Sequence, residues 1–173
     1  MTTVDAATEL KDLPGWDLTD LYPGRESAEL AAALESAASD AKSFNKKDAG
    51  KLASLNGDDL AAAVAVYEDL QEVIGRIGSF AFLTYATDMS DTEIGQFFQN
   101  MQEKLNDVTT DLLFFTLEMN RLEEEALEKL YAGSENLSRY QPGAVEWNLY
   151  DMDAKFGDVE PLEAVLDHMR KNT

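Results

Sequence analysis

The chain contains no cysteine and a single histidine, His168, among its 173 residues. Without cysteine it can form neither a disulfide nor a thiolate metal site, and this composition suits a reducing cytoplasm. A His-Glu-x-x-His zinc motif needs two imidazoles four residues apart on one helix face, so one histidine cannot supply it. We therefore expect a cytoplasmic protein with no metal, no cofactor and no catalytic residue in this chain.

Positive charge is also scarce. Lysine and arginine number 14 against 34 aspartates and glutamates, which gives a formal net charge of −20. Nucleic acid and anionic membrane surfaces would be repelled, so we expect neither as a partner. No run approaches the roughly 18 apolar residues of a membrane span. The acidic excess has two interpretations: attraction of basic peptides, or solubility alone, which the scatter of the acids along the chain favours.

Motifs of common enzymes are missing as well. The sequence has no glycine-rich phosphate loop, no Gly-x-Ser-x-Gly elbow, and no pair of carboxylates marked as acid and base. The consecutive glutamates 123–125 point about 100° apart on a helix and cannot converge on one ion, so we expect a solvated first turn. Gly75 and Gly78 lie inside a helical pattern, where each costs about 1 kcal/mol relative to alanine. We expect a close helix contact or a bend there, with space for a ligand as the alternative.

Hydrophobic residues, 45% of the chain, recur at helical spacing. Over residues 26–46 the apolar positions alternate by four and three, while residues 58–87 are apolar on several sides and predict a central helix. The longest stripe consists of Ile94, Phe98, Met101, Leu105, Val108, Leu112, Phe115, Met119 and Leu122. The sequence predicts an all-α bundle of about four to six helices around a long antiparallel pair, at residues 58–87 and 91–120.

Polar residues predict where three of these helices begin. Ser27 is a good N-cap for the first. Asp58, after the Asn-Gly turn at residues 56–57, is predicted to cap the second. Ser90 and Glu93 have the spacing of a capping box, in which each side chain bonds the other residue's backbone amide.

The N-terminal residues 1–25 predict an arm packed on the helices. Pro23 and Gly24 mark a turn, and the side chains of Trp16, Leu18, Leu21 and Tyr22 need apolar surroundings. The predicted organisation is thus an arm at residues 1–25, a helical domain at 26–140, and an irregular, unassigned segment at 141–173 that ends in a short helix.

The stretch Trp-Asp-Leu-Thr-Asp-Leu-Tyr at residues 16–22 resembles the opening of the oligoendopeptidase F family, which are thimet-oligopeptidase-like zinc metallopeptidases. Residues 67–91 and 112–127 resemble two later segments of that family in the same order. The resemblance covers about residues 13–140, with departures at Phe80 and Met89, where the family pattern has tyrosine and threonine.

This resemblance implies the N-terminal helical domain of such a peptidase, without the catalytic domain and its zinc. It implies a non-catalytic lid or scaffold of a metallo-oligopeptidase that hydrolyses short peptides, with the missing catalytic domain and peptide substrates as partners. The residues themselves leave an alternative: a free-standing acidic helical domain for protein interaction. A homodimer through the stripe at residues 94–122 belongs to that alternative.

Overall fold

A computed structural model describes residues 17–140, and the regular secondary structure in this part of the chain is helical throughout. It comprises α1 (Ala28–Asp48), α2 (Gly57–Thr87), α3 (Thr92–Met119), α4 (Glu124–Gly133) and α5 (Glu135–Ser138), with a 3₁₀ turn at Leu52–Ser54. The prediction of an all-α protein with several helices is confirmed. Trp16, His168 and the predicted segment 141–173 lie outside the described residues.

The chain divides into two compact units. Among the described residues, the first consists of residues 17–49 and Ala65–Phe114, and the second of Gly50–Val64 and residues 115–140. The long helices α2 and α3 contribute residues to both.

The described part of the arm, residues 17–25, packs against the core of the first unit. Leu18 and Leu21 contact this core, and the ring of Tyr22 meets that of Phe80 edge-on with centroids 5.4 Å apart. The prediction that these arm residues anchor the N-terminal segment is confirmed for all three. The buried members of the cluster are Tyr22, Leu30, Ile77, Phe80, Ala81 and Met101.

Within the first unit, α2 and α3 form the predicted antiparallel pair. The rings of Tyr85 and Phe98 stack with centroids 4.9 Å apart, and a β-carbon at Gly78 would lie 3.6 Å from Leu105. Contacts therefore move forward along α3 as they move back along α2. A β-carbon at Gly78 would make only an ordinary van der Waals contact with α3, and one at Gly75 would meet nothing within 4 Å, so the predicted close helix contact is wrong for Gly75.

The starts of α1 and α3 show which capping predictions hold. The amide of Leu30 donates to Ser27 Oγ at 3.2 Å, as predicted. The capping box at Ser90 is wrong: Asp91 Oδ1 accepts from the amides of Glu93 at 2.7 Å and Ile94 at 3.1 Å. A carboxylate makes the stronger, charge-assisted bond at the positive end of a helix. The Ser90 hydroxyl instead donates to Asp88 Oδ1 at 2.6 Å.

In the second unit, the start of α2 also differs from the prediction. Asn56 Oδ1 accepts from the amide of Asp59 at 2.9 Å, so Asn56 and not Asp58 caps the helix. Asp58 Oδ1 accepts from Ser134 Oγ at 2.6 Å, and Ser134 in turn caps α5. The sequence cannot reveal this use of Asp58, because its partner lies far along the chain.

A close backbone approach fixes Gly57 in the same unit. A β-carbon there would lie 2.6 Å from the Cβ of Ser134 and 2.8 Å from the carbonyl oxygen of Leu130.

The carboxylate of Glu118 accepts two hydrogen bonds from backbone amides in the same unit. The amide of Gly50 donates to Oε1 at 2.6 Å, and the amide of Leu52 donates to Oε2 at 3.2 Å. The buried apolar residues in the described part of this unit are Leu52, Leu60, Ala61, Ala63, Val64, Phe115, Met119 and Leu137.

Within residues 17–140, none of the helices is both long enough and apolar enough to pass through a lipid bilayer.

Candidate functional site

The first unit carries a groove with a volume of about 620 Å³, lined by α1, α2 and the arm. On α1 its lining runs from Glu29 to Asp40, and on α2 from Val66 to Arg76. At 1.5 Å per helical residue, each wall is about 16 Å long. Because the lining positions on each helix share one face, the groove follows the helices rather than crossing them.

The floor of the groove is apolar. Tyr22, Ala37 and Leu70 are buried there, while Ala33 and Val73 are partly exposed. Val66 retains 38% exposure, although it is a large apolar side chain on a folded helix. Alanine side chains are small, so the α1 wall leaves room for another chain to come close.

The rim of the groove is acidic. Glu29 and Asp40 on α1 and Asp69 and Glu72 on α2 are all exposed. None of the four takes part in an ion pair with another described residue. Asp40 accepts one hydrogen bond, from Ser36 Oγ at 2.9 Å. Four carboxylates without neutralising partners give the groove a negative potential.

Among the described residues of the lining, the one cationic side chain is Arg76, which is already engaged with the arm. Its Nη2 donates to the carbonyl oxygens of Asp20 at 3.1 Å and Leu21 at 2.9 Å. Its guanidinium carbon lies 5.2 Å from the ring centroid of Tyr22. Burial raises the pKa of the Tyr22 phenol, and the Arg76 charge opposes that rise. Arg76 therefore holds the arm at one end of the groove.

A second groove in the same unit, of about 370 Å³, has a different charge pattern. It is lined by α1 and α3, and three carboxylates there face two ammonium groups. Because the charges are mixed, this groove has no strong preference for a ligand of either sign. Its charged residues are Glu35, Lys42, Lys104, Asp107 and Asp111.

An exposed aromatic group lies near the turn between α2 and α3. Phe82 is 52% exposed, and its ring centroid lies 6.2 Å from that of Phe98. Met89, in the turn itself, is 63% exposed. Exposed apolar groups of this kind often lie in interaction surfaces.

The described residues show no grouping of three or more histidine, cysteine, aspartate or glutamate side chains suited to a metal ion. Glutamates 123–125 are all exposed at the beginning of α4, in agreement with the predicted solvated turn. Asp48 is buried, with its Oδ2 3.5 Å from Lys47 Nζ and without a hydrogen bond. A lone buried carboxylate does not provide an acid and a base.

The comparisons with known proteins overturn the expected family. A 28-residue segment of this chain is 57% identical to N-carbamoylsarcosine amidase of Arthrobacter sp, covering 16% of this chain and 11% of the amidase. No family model matches the chain, and no solved structure is significantly similar to it. Membership of the oligoendopeptidase F family is therefore wrong. Leu18, Leu21 and Tyr22 in the resembling stretch pack into the core, so packing alone accounts for their apolar character.

The sequence did not identify the groove residues as a site. The signal available was weak: Glu29 and Asp40 are 11 positions apart, and Val66, Leu70 and Val73 are spaced by four and three, which places each set on one helix face. It does not say which face of α1 meets which face of α2. Only the tertiary packing brings the four carboxylates to one groove.

Proposed function

We propose that this chain is a non-catalytic, acidic helical domain that binds a positively charged protein partner. The observation that supports it is the set of four exposed carboxylates, free of ion pairs among the described residues, around an apolar groove. The apolar floor and the negatively charged rim together favour a polypeptide that offers both apolar and basic side chains. The net charge of −20 would speed the approach of such a partner.

The other expectations from the sequence have less support. The lid or scaffold function, with a catalytic domain, zinc and peptide substrates, came from the family resemblance and remains an untested prediction. The amidase match spans 28 residues, fewer than a domain needs, so we do not assign amide hydrolysis to this chain. Because the chain lacks cysteine, we propose a cytoplasmic location. We also propose that it binds no nucleic acid, no membrane and no cofactor. A homodimer would bring two strongly acidic chains together, so a basic partner is favoured.

Titration with two flexible peptides tests the proposed function. One is a fluorescent lysine- and serine-containing peptide, and the other is identical with glutamate in place of lysine. We expect the lysine peptide to bind at low salt and to weaken as salt rises, because screening shortens the range of the attraction. Mass spectrometry of the recovered peptide should show no cleavage. Equal binding of both peptides would contradict the proposal, and cleavage would contradict its non-catalytic part.

A further inference from the structure

We infer that the acidic groove between α1 and α2 binds one amphipathic, positively charged α-helix of the partner. This inference rests on the proposed function and adds its site and the conformation of its ligand.

The shape of the groove suits a helix. Both walls are helix faces about 16 Å long, which is the length of about eleven helical residues. In helix-in-groove binding, the ligand places apolar residues at positions i, i+3 or i+4, and i+7 on a receptor floor. Here Val66, Leu70 and Val73 on α2 form one side of that floor, with Ala33 and Ala37 opposite.

The arrangement of charge specifies the polar face of the ligand. Glu29 and Asp40 are on one wall, and Asp69 and Glu72 are on the other. A helix lying between them with its apolar stripe downward would present lysines or arginines on both flanks of that stripe to these carboxylates. An acidic helix, or a second copy of this chain, would meet four like charges.

Two features of the same unit distinguish this groove from its surroundings. The second groove has three carboxylates and two ammonium groups, so a basic helix would meet repulsion as well as attraction there. The positive charge of Arg76 is directed to the arm carbonyls of Asp20 and Leu21. The ligand therefore needs no acidic residue to pair with Arg76.

The probe for this inference is a fluorescent synthetic peptide of about fourteen residues, or four turns, with leucines along one helix face and lysines elsewhere. A scrambled peptide has the same composition without an apolar face. Binding is measured by fluorescence anisotropy near physiological salt. We expect the scrambled peptide to bind about ten-fold more weakly, because it cannot place its leucines on the floor while its lysines meet the rim.

Two double variants with the same change in charge locate the site. Asp69→Asn with Glu72→Gln should weaken the amphipathic peptide about five-fold, since each exposed charge pair contributes modestly. Glu35→Gln with Asp107→Asn, in the second groove, should weaken it less than about two-fold. All four side chains are exposed, and circular dichroism would check that both variants remain helical.

A third variant, Val66→Ser, tests the floor and should also weaken the amphipathic peptide. Equal binding by the two double variants, or equal binding of the amphipathic and scrambled peptides, would overturn the groove and the helical ligand. The proposed function would survive either result, because flexible lysine peptides could still bind. Failure of every lysine-containing peptide to bind would overturn the proposed function too.

Discussion

At the scale of single residues, Tyr22 connects the arm to the pH dependence of stability. Burial raises the pKa of its phenol above the ordinary value of 10.0, and Arg76 offsets part of that rise. A raised folded-state pKa means that the folded chain favours the neutral phenol. The corresponding stability is fully present below pH about 10 and is lost as pH rises through the folded pKa. We expect the free energy of unfolding to fall more steeply with alkaline pH in the wild type than in Tyr22→Phe.

Denaturant midpoints at a series of alkaline pH values would measure this difference. Phenylalanine keeps the ring against Phe80 and Arg76, so the variant isolates the hydroxyl. Some slope should persist in the variant, because burial also raises the pKa of Tyr131. Parallel curves for the two proteins would show that Tyr22 titrates as in the unfolded chain.

Replacing glycine with alanine should have opposite effects on stability at two positions of α2. Gly57→Ala places a methyl group 2.6 Å from Ser134 Cβ, so the backbone must shift, and we expect a loss of about 1–3 kcal/mol in unfolding free energy. Gly75→Ala meets nothing within 4 Å, and alanine loses less conformational entropy on folding. We expect Gly75→Ala to raise the free energy of unfolding by about 0.4–1 kcal/mol. Chemical denaturation of both variants would test the pair, and a loss at Gly75 would mean that its side of α2 is covered.

At the scale of elements, the start of α3 separates two candidate caps. The carboxylate of Asp91 accepts hydrogen bonds from two backbone amides in the first turn of α3. The Ser90 hydroxyl instead donates a hydrogen bond to Asp88 in the preceding turn. We expect Asp91→Ala to lower the unfolding free energy by about 1 kcal/mol. Ser90→Ala should have the smaller effect. Thermal and denaturant unfolding of the two variants would compare them directly, and an equal or larger loss for Ser90 would restore the capping box.

The helices themselves were predictable because their signal is local and repeated. The stripe from Ile94 to Met119 places an apolar residue at every third or fourth position, and all its members are buried or partly buried. The caps were less predictable because Ser90, Asp91, Asn56 and Asp58 are all good capping residues. Which of them accepts the first amides depends on the conformation of the turn, and for Asp58 on a serine 76 positions away.

At the scale of the whole molecule, the candidate site was beyond the reach of the sequence. The composition gives the net charge, but it does not say which acidic residues lie together. The groove arises from how α1 packs against α2, where Leu30 shares a core cluster with Ile77 and Phe80, residues far from it in the sequence. The family resemblance failed for a related reason: leucines and aromatics at helical spacing are what any helical core requires.

The net charge of −20 predicts that the stability of the whole chain depends on salt. Unneutralised carboxylates repel one another more strongly in the compact state than in the expanded unfolded chain. Raising ionic strength from about 0.01 M to 0.15 M shortens the screening length from about 30 Å to about 8 Å, so it weakens this repulsion. We expect the unfolding midpoint temperature to rise with sodium chloride, by about 2–4 °C for each kcal/mol of repulsion relieved. The double variant Asp69→Asn with Glu72→Gln should have a higher midpoint temperature than the wild type at low salt. Its midpoint should rise less as salt is added, since part of the repulsion has already been removed. Differential scanning calorimetry over this range would measure both proteins, and a midpoint that stays constant or falls with salt would show that the acidic surface does not oppose folding.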